Sequence, residues 1–466
     1  MKKTLLYKTF LFAFMGLCLQ SCFVAKNYDR PDLETDSLYR TSQVPTDSSS
    51  MATISWRAMF KDPFLSAYIE EGLQKNLDIR IALQQINAAE AYLKQGKAGY
   101  LPSLSAKGSA MQQNASENGQ FSGISQGSIN LYEFSTALSW EADIWGKIRS
   151  NKRATEAGYL QTMAAHKAVK SQLVAQIAST YYQLLALDRQ KEITEKTITN
   201  RENSLETIKA LKEAGNVTQV AVDQTSAQLY NAQALLIDIE KNIFRTENTL
   251  SLLLARPSQN IERGDLTAQT LGEELQLGIP SLLLRNRPDV IAAEYQFVNT
   301  FELTNVAKSN FYPSFTLTGT AGFQSLDFKN WFDSSSLFSS LLGGLTQPIF
   351  NNRKIRTQYE VALAQKEQAL ANFEKTVLIA GQEVSNALFE YTSEVKKYAY
   401  RNNEVQALRT AESNSEVLLN NGFGTYLDLL TARQNALNAE INLIENQLQQ
   451  LQSKVALYKA LGGGWQ

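Results

Sequence analysis

Proline is nearly absent from this chain, and where it is absent sets what the chain can become. The nine prolines are Pro31, Pro45, Pro63, Pro102, Pro257, Pro280, Pro288, Pro313 and Pro348, so 103–256 and everything after 348 contain none. An internal proline costs a helix ~3 kcal/mol, so these two stretches, rich in Ala, Gln, Glu, Leu and Lys, are where long helices can form. From Lys147 to Ala214 and from Lys354 to Asn421 each stretch can make a rod of about 100 Å at 1.5 Å per residue. Rods of that length do not belong to a compact single-core domain.

The chain is also written twice. Asp78-Ile79 precedes Pro102-Ser103 at the spacing by which Asp289-Val290 precedes Pro313-Ser314. Lys147-Ile148-Arg149 recurs as Lys354-Ile355-Arg356, and Gly215 with Thr218 recurs as Gly422 with Thr425, all at one offset. Each half reads helix, two strands, very long helix, sharp turn, long returning helix, and such a duplication implies pseudo-symmetry. The second returning helix carries a coiled-coil seam of Leu427, Leu430, Leu437, Ile441, Ile444, Leu448, Leu451, Val455 and Tyr458, with Gln434 the polar break. In the first half, Val222, Leu229, Leu236, Ile243 and Leu250 sit seven apart, with Thr225, Ala232, Ile239, Thr246 and Leu253 interleaved. The two registers do not coincide under the repeat. Taken alone, the helices describe a soluble antiparallel coiled-coil scaffold.

The strands argue otherwise. Ser314, Thr316, Thr318 and Thr320 alternate with Phe315, Leu317, Gly319, Ala321 and then Phe323. Tyr132, Phe134, Leu138 and Trp140 alternate with Glu133, Ser135, Ser139 and Glu141. Partner strands near 103–113 and 337–347 alternate less cleanly, and polar loops join each pair. Segments of about ten residues, apolar on one face and polar on the other, fit a transmembrane β-barrel, with Phe311, Tyr312, Trp331 and Trp140 suited to its interfacial girdles. The alternative is a half-buried sheet in a soluble domain. Four strands cannot close a barrel, and lipid forbids open edges, so copies of the chain must share one wall. Two copies give eight strands and a filled interior, three give twelve and room for a pore.

The leader places the chain. Lys2, Lys3 and Lys8 precede an apolar run, Leu11 to Leu19, too short to anchor in a bilayer, with small Ser21 at the cut. Leu19-Gln20-Ser21-Cys22 resembles a bacterial lipobox, which makes Cys22 a lipid anchor; an ordinary signal peptide with an incidental cysteine is the alternative. Both cysteines, Cys18 and Cys22, lie at the leader, so the mature chain can form no internal disulfide. His166 is the single histidine, which excludes a His-cluster metal site and argues against a Ser/His triad. The formal charge is −1, or −4 once the three leader lysines are removed, so no basic excess points to nucleic acid. No later stretch is apolar enough for a spanning helix. Phosphate loops, metal clusters and nucleophile constellations do not stand out, so neither an enzyme nor a cofactor is expected.

Several motifs resemble those of the TolC-type outer-membrane efflux proteins, in particular the lipoprotein branch serving resistance-nodulation-division pumps. They are Trp56-Arg57 with Asp62-Pro63, Asn76-Leu77-Asp78-Ile79-Arg80, and Trp140-Glu141-Ala142-Asp143-Ile144-Trp145-Gly146-Lys147. The run Leu283-Leu284-Arg285-Asn286-Arg287-Pro288-Asp289-Val290 through Ala293-Glu294 and the end Leu461-Gly462-Gly463-Gly464-Trp465 complete the set. Asn286 stands where the family usually has a second Arg. The resemblance implies a homotrimer with a twelve-strand barrel among the outer-membrane lipids and a helical tunnel in the periplasm. It also implies two partners, a periplasmic adaptor protein and an inner-membrane resistance-nodulation-division pump.

The expected fold is mixed α and β, mainly α: long antiparallel helices forming a tunnel, plus four strands per chain. Residues 1–21 form a lipoprotein signal peptide and 22–55 an extended lipid-anchored segment. The first repeat is 56–280, with strands near 103–113 and 128–141, a long helix 147–214 and a returning helix 218–256. The second is 281–466, with a helix 288–311, strands near 314–324 and 337–347, a long helix 354–421 and a returning helix 425–460. Gly215 and Gly422 suit left-handed helix ends, and Thr218 and Thr425 can cap the helices that follow. The resemblance makes these tips, with Tyr426, the adaptor-docking site. Leu427, Asp428 and Thr431 are the candidates for a periplasmic gate. Thr425-Tyr426-Leu427-Asp428 also reads as a capping box. The family often has an acid where this chain has Thr431, so any acidic constriction is weaker. The expected function is a passive outer-membrane exit duct for drugs or other small molecules; a type I protein-secretion duct and a lipid-anchored coiled-coil scaffold without a pore are the alternatives.

Overall fold

The computed structural model describes residues 24–35, 37–41, 50–114, 128–269 and 277–466. The signal peptide, Cys22 and most of the polar loop between the first two strands lie outside the described residues. Seven long helices and four strands follow in the order α1 (Pro63–Lys75), α2 (Leu77–Ala98), β1 (Ser103–Asn114), β2 (Ser128–Ala142), α3 (Lys147–Glu213), α4 (Gln219–Leu253), α5 (Pro288–Ser309), β3 (Ser314–Ser325), β4 (Leu337–Thr346), α6 (Lys354–Asn420) and α7 (Tyr426–Ala460). Helices in matching places have equal lengths: 22 residues for α2 and α5, 67 for α3 and α6, 35 for α4 and α7. Among the described residues no helix is long and apolar enough to cross a membrane.

The chain divides into two compact units, each drawing segments from both sequence halves. The first comprises the described parts of Met1–Pro31, Ile86–Gln161 and Ala293–Phe373. Its sheet is antiparallel in the order β1-β2-β3-β4, which leaves the outer edges of β1 and β4 unpaired. The register puts Leu138 between Leu104 and Gly319, Phe134 between Gly108 and Phe323, and Phe315 opposite Leu345. One face is therefore apolar across all four strands. The opposite face collects Ser103, Ser105, Lys107, Glu133, Ser135, Glu141, Thr316, Thr318 and Ser340. Beyond the strands, Asp143 caps α3 by accepting from the Ile148 and Arg149 amides at 2.8 and 2.9 Å. Residues 26–30 run extended and antiparallel along α5. Lys26 and Asn305 exchange hydrogen bonds at 3.2 and 2.9 Å, Tyr28 packs edge-on against Phe297 and Phe301, and Arg30 Nε donates to Glu294 at 2.6 Å.

The second unit comprises the described parts of Asp32–Gln85, Thr162–Ala292 and Glu374–Gln466. Asp62 starts α1, with Pro63 in the first turn where its missing N–H is no loss. One Asp62 oxygen takes the Phe64 and Leu65 amides; the other accepts from the Tyr181 hydroxyl at 3.0 Å and Gln269 at 2.7 Å. Leu65, Ile69, Ile177, Leu184, Leu185, Leu250 and Tyr458 are fully buried and form its core.

The mismatch between the two coiled-coil registers has a structural answer. On α4 the buried stripe includes Val222, Thr225, Leu229, Ala232, Ile239 and Leu250. Carried across the repeat, these positions are Leu429, Ala432, Ala436, Ala439, Asn446 and Leu457, and all are buried on α7 too. Being mostly small or polar, they leave no apolar signal. α7 additionally buries Leu437, Ile444 and Leu451, whose counterparts on α4, Tyr230, Ile237 and Phe244, are about two-thirds exposed. Each returning helix has two contact stripes, and the apolar one differs between the halves.

Gly322 lies where β3 passes close against β2. A Cβ there would stand 2.2 Å from the Phe134 carbonyl oxygen and 2.6 Å from Ser135 Cα, whereas at Gly343 the nearest atom is Leu317 Cδ1 at 3.9 Å. Gly322→Ala should destabilise the sheet by ~1–3 kcal/mol, while Gly343→Ala is neutral. Equal thermal midpoints of the strand signal in circular dichroism for the two variants would contradict this packing.

Candidate functional site

Both helix-to-helix reversals close with the same backbone device. Gly215 (φ +78°) donates to Lys212 O at 2.9 Å and Asn216 to Leu211 O at 2.9 Å; Gly422 (φ +76°) donates to Leu419 O at 3.1 Å and Phe423 to Leu418 O at 2.9 Å. These paired bonds satisfy the orphan carbonyls at a helix end and need a residue at positive φ, which glycine adopts without a Cβ clash. No heavy atom comes within 4 Å of where a Cβ would sit on either glycine, so conformation and not crowding requires them.

The helix starts differ. Thr425 Oγ1 accepts from the Asp428 amide at 3.3 Å, and the Asp428 carboxylate accepts from the Thr425 amide at 3.1 Å and hydroxyl at 2.6 Å, a complete capping box. The Thr425 hydroxyl, and then its amide, hold the Asp428 carboxyl below the usual aspartate range. Thr218, expected to cap α4 in the same way, makes no side-chain cap hydrogen bond. Its third following residue is Ala221, so no carboxylate fixes the hydroxyl. Tyr426 does not project from the tip: its hydroxyl is hydrogen-bonded to Thr225 Oγ1 at 2.8 Å, and burial raises its pKa. The apolar groups that stand out are Phe423, 84% exposed, with Val220 and Leu427. Asp428 and Thr431 are exposed as well.

Gln434 breaks the α7 seam because it serves a buried cation. Arg201 of α3 is 3% exposed, donates through Nη1 to the Gln228 carbonyl of α4, and through Nη2 to Gln434 Oε1 at 2.8 Å. Among the described residues no carboxylate pairs with it, and burial lowers its pKa. Arg433, one position before Gln434, reaches Ser204 of α3 and Glu416 of α6, the latter at 3.2 Å. Neither arginine stood out in the sequence, although the polar break at Gln434 was the available clue.

The most specific sequence motifs meet in the second unit. Arg287 is 4% exposed and forks onto Asp289 at 3.0 and 2.6 Å, with Nη1 on Glu383 at 2.6 Å and on the Ala460 carbonyl at 3.0 Å. Burial opposes the charge of Asp289, but the Arg287 guanidinium outweighs it and holds that carboxyl low. Trp465 donates to the Asn286 carbonyl at 3.3 Å, Lys167 sits 4.2 Å over its ring, and Ser171 donates to Gly463 O at 2.5 Å. Gly462 (φ +99°) leaves no room for a Cβ beside Asn286. The Arg-Pro-Asp run and the glycine-tryptophan end are thus one structural knot.

Aromatics gather at both ends of the sheet. Trp140 donates to the Tyr100 carbonyl at 3.1 Å, and Trp145 stacks on Tyr312 at 4.9 Å. Tyr132 meets Trp331 at 5.5 Å at the other end. Eight residues of β2 separate Tyr132 from Trp140, roughly 26 Å at ~3.3 Å per residue, close to the ~25 Å apolar band of outer-membrane barrels.

Residues 68–256 and 279–463 match the family described as outer membrane efflux protein. The solvent efflux pump outer membrane protein SrpC of Pseudomonas putida is 29% identical over 97% of both chains. The cation efflux system protein CusC of Escherichia coli is 26% identical, covering 97% of this chain and 98% of its own. The solved outer-membrane channel OprN superposes with a TM-score of 0.88 over 95% of this chain and all of its own, at 24% identity, a likeness of fold. The chain belongs to the outer membrane efflux protein family, a family of transport channels of the outer membrane.

The buried Arg201 yields a direct test. Gln434→Leu strands its guanidinium and should cost ~1–3 kcal/mol, whereas adding Arg201→Met should recover most of the loss by removing the charge altogether. Helical melting of the two variants measures the difference; a double variant no better than Gln434→Leu refutes it.

Proposed function

We propose that three copies of this chain join sheet edges into a twelve-strand barrel and act as the exit duct of a tripartite efflux pump. The carrying observation is the sheet: an apolar face continuous over four strands, with two unpaired edges that hydrocarbon would not tolerate. The uncovered α4 stripe of Tyr230, Ile237 and Phe244 supports the same reading, because its α7 counterpart is buried within the chain. A neighbouring copy supplies the missing cover. Cys22 would carry the lipid anchor, and the segment lying along α5 would lead from it.

Energy comes from an inner-membrane pump, and a periplasmic adaptor docks at the Gly215 and Gly422 tips, where Phe423 offers an exposed apolar contact. Adaptor binding then favours the open arrangement by population shift. SrpC and CusC are named for solvent and for cation efflux; this chain's cargo is set mainly by its pump. Asp428 serves first as the α7 cap and, in a trimer, contributes one carboxylate of three at the periplasmic entrance.

Purified protein in detergent should run as a trimer and give stable single-channel conductance in planar bilayers; a monomer that stays soluble without detergent ends this reading. Asp428→Ala should raise leak, and unchanged conductance and cation block would remove Asp428 from the gate. Folding favours the charged form of Asp428, so its cap is intact above the ordinary aspartate pKa and is lost as pH falls through the lowered value. Near neutral pH the leak should therefore be insensitive to pH. Deleting Gly422 to Asp428 should abolish export with trimer insertion intact, and an active pump after that deletion would contradict docking at the tips.

A further inference from the structure

The loop joining β3 to β4 folds onto the apolar face of the sheet and not onto the polar one. Phe328 and Trp331 pack on Tyr132 at 5.4 and 5.5 Å, and Phe332 packs on Phe134 at 6.4 Å and on Phe323 at 5.7 Å. Tyr132, Phe134 and Phe323 share the apolar face by register, since Phe134 pairs with Phe323 and Tyr132 lies two residues before Phe134. The loop is internally braced: Asp327 accepts from the Lys329 amide at 3.1 Å, Ser325 donates to the Asp327 carbonyl at 2.8 Å, and Ser336 donates to the Asn330 carbonyl at 2.6 Å. Trp331 and Phe332 stack at 4.9 Å. Even so, Leu326, Phe328 and Phe332 remain 62–66% exposed.

We infer that this loop is a membrane-seated collar: it seats its exposed aromatic groups at the boundary of headgroups and acyl chains in the outer leaflet and leaves the lumen mouth uncovered on its side. A lid over the mouth would place its apolar groups against the polar face, where Glu133, Ser135 and Gln324 lie near the same end. Here the exposed apolar groups continue the surface that already faces lipid, and lipid is the occupant that leaves none of them in water. The inference rests on the barrel reading above, and its test separates the two.

Single cysteines at Phe328, Phe332, Leu341 (apolar face) and Thr318 (polar face) can be spin-labelled in the full chain, with Cys22 retained as the lipidated residue. In vesicles of phosphatidylcholine and phosphatidylglycerol, relaxation by oxygen against a water-soluble nickel chelate reports lipid or water around each label. Phe328→Cys and Phe332→Cys should match Leu341→Cys, with oxygen dominating. Should Leu341→Cys read lipid while both loop labels read water, the collar is wrong and the barrel stands. A watery signal at Leu341→Cys sinks the barrel and the collar with it. Independently, Phe328→Ser with Phe332→Ser should leave single-channel conductance unchanged, and an increase in conductance would show that the loop covers the mouth.

Discussion

Unpaired backbone at the edges of a four-stranded sheet governs this molecule. In hydrocarbon, each orphan N–H or C=O costs several kcal/mol, and one chain offers two whole edges of them, on β1 and β4. A soluble sheet can blunt such edges with charge or a short strand, but these strands are 12 and 10 residues long. Among the described residues no further strand pairs with either edge, the other β contact being the isolated Ser50–Leu277 bridge, so the proposed solution lies in other copies. Repetition is thus built in at two levels: helix pairs of equal length within the chain, and copies of the chain around the proposed barrel.

Duplication with divergence then explains the helices. Two stripes on each returning helix must find partners, yet one chain buries both stripes on α7 and leaves one bare on α4. On α7 one buried stripe is made largely of small and polar residues such as Ala436, Ala439 and Asn446, where close approach and hydrogen bonds replace side-chain bulk, and the other is made of Leu437, Ile444 and Leu451. Asn446 makes this concrete by donating to the Glu394 carbonyl of α6 at 3.1 Å. The stripe that α4 leaves bare keeps its bulk, Tyr230, Ile237 and Phe244, and another copy is its proposed partner.

These same features decide what the sequence could reveal. The inner strands β2 and β3 were legible because large apolar residues alternate with Ser, Thr and Glu. The outer strands are blurred because register sets bulk on an inner strand against glycine on an outer one, Phe134 against Gly108 and Leu317 against Gly343, so neither β1 nor β4 carries a full pattern alone. Glycine at the helix ends was readable, since positive φ has few other solutions. Thr218 is a cap by residue type alone and makes no side-chain cap bond, and Ala221 in place of an acid means that the closed box of Thr425 and Asp428 has no counterpart there. Arg201 was invisible because a basic residue in a helix of 67 reads as solvated surface, and tertiary contact alone makes it buried. The meeting of Trp465 with Asn286 links residues far apart in the chain, which no local pattern encodes.

The two tips consequently differ in how they hold their shape. α7 starts from a closed capping box and is fixed by its own residues. α4 starts from Thr218 without a side-chain cap bond, and about two turns further on Thr225 is tied to Tyr426, the first residue of α7. The first-half tip is joined to the second by this hydrogen bond and by Arg201, which donates to Gln228 of α4 and Gln434 of α7, while α7 is tied to α6 by Arg433 with Glu416 and Arg409 with Glu440. A partner that displaces Tyr426 would loosen the start of α4 while leaving the α6–α7 pair intact.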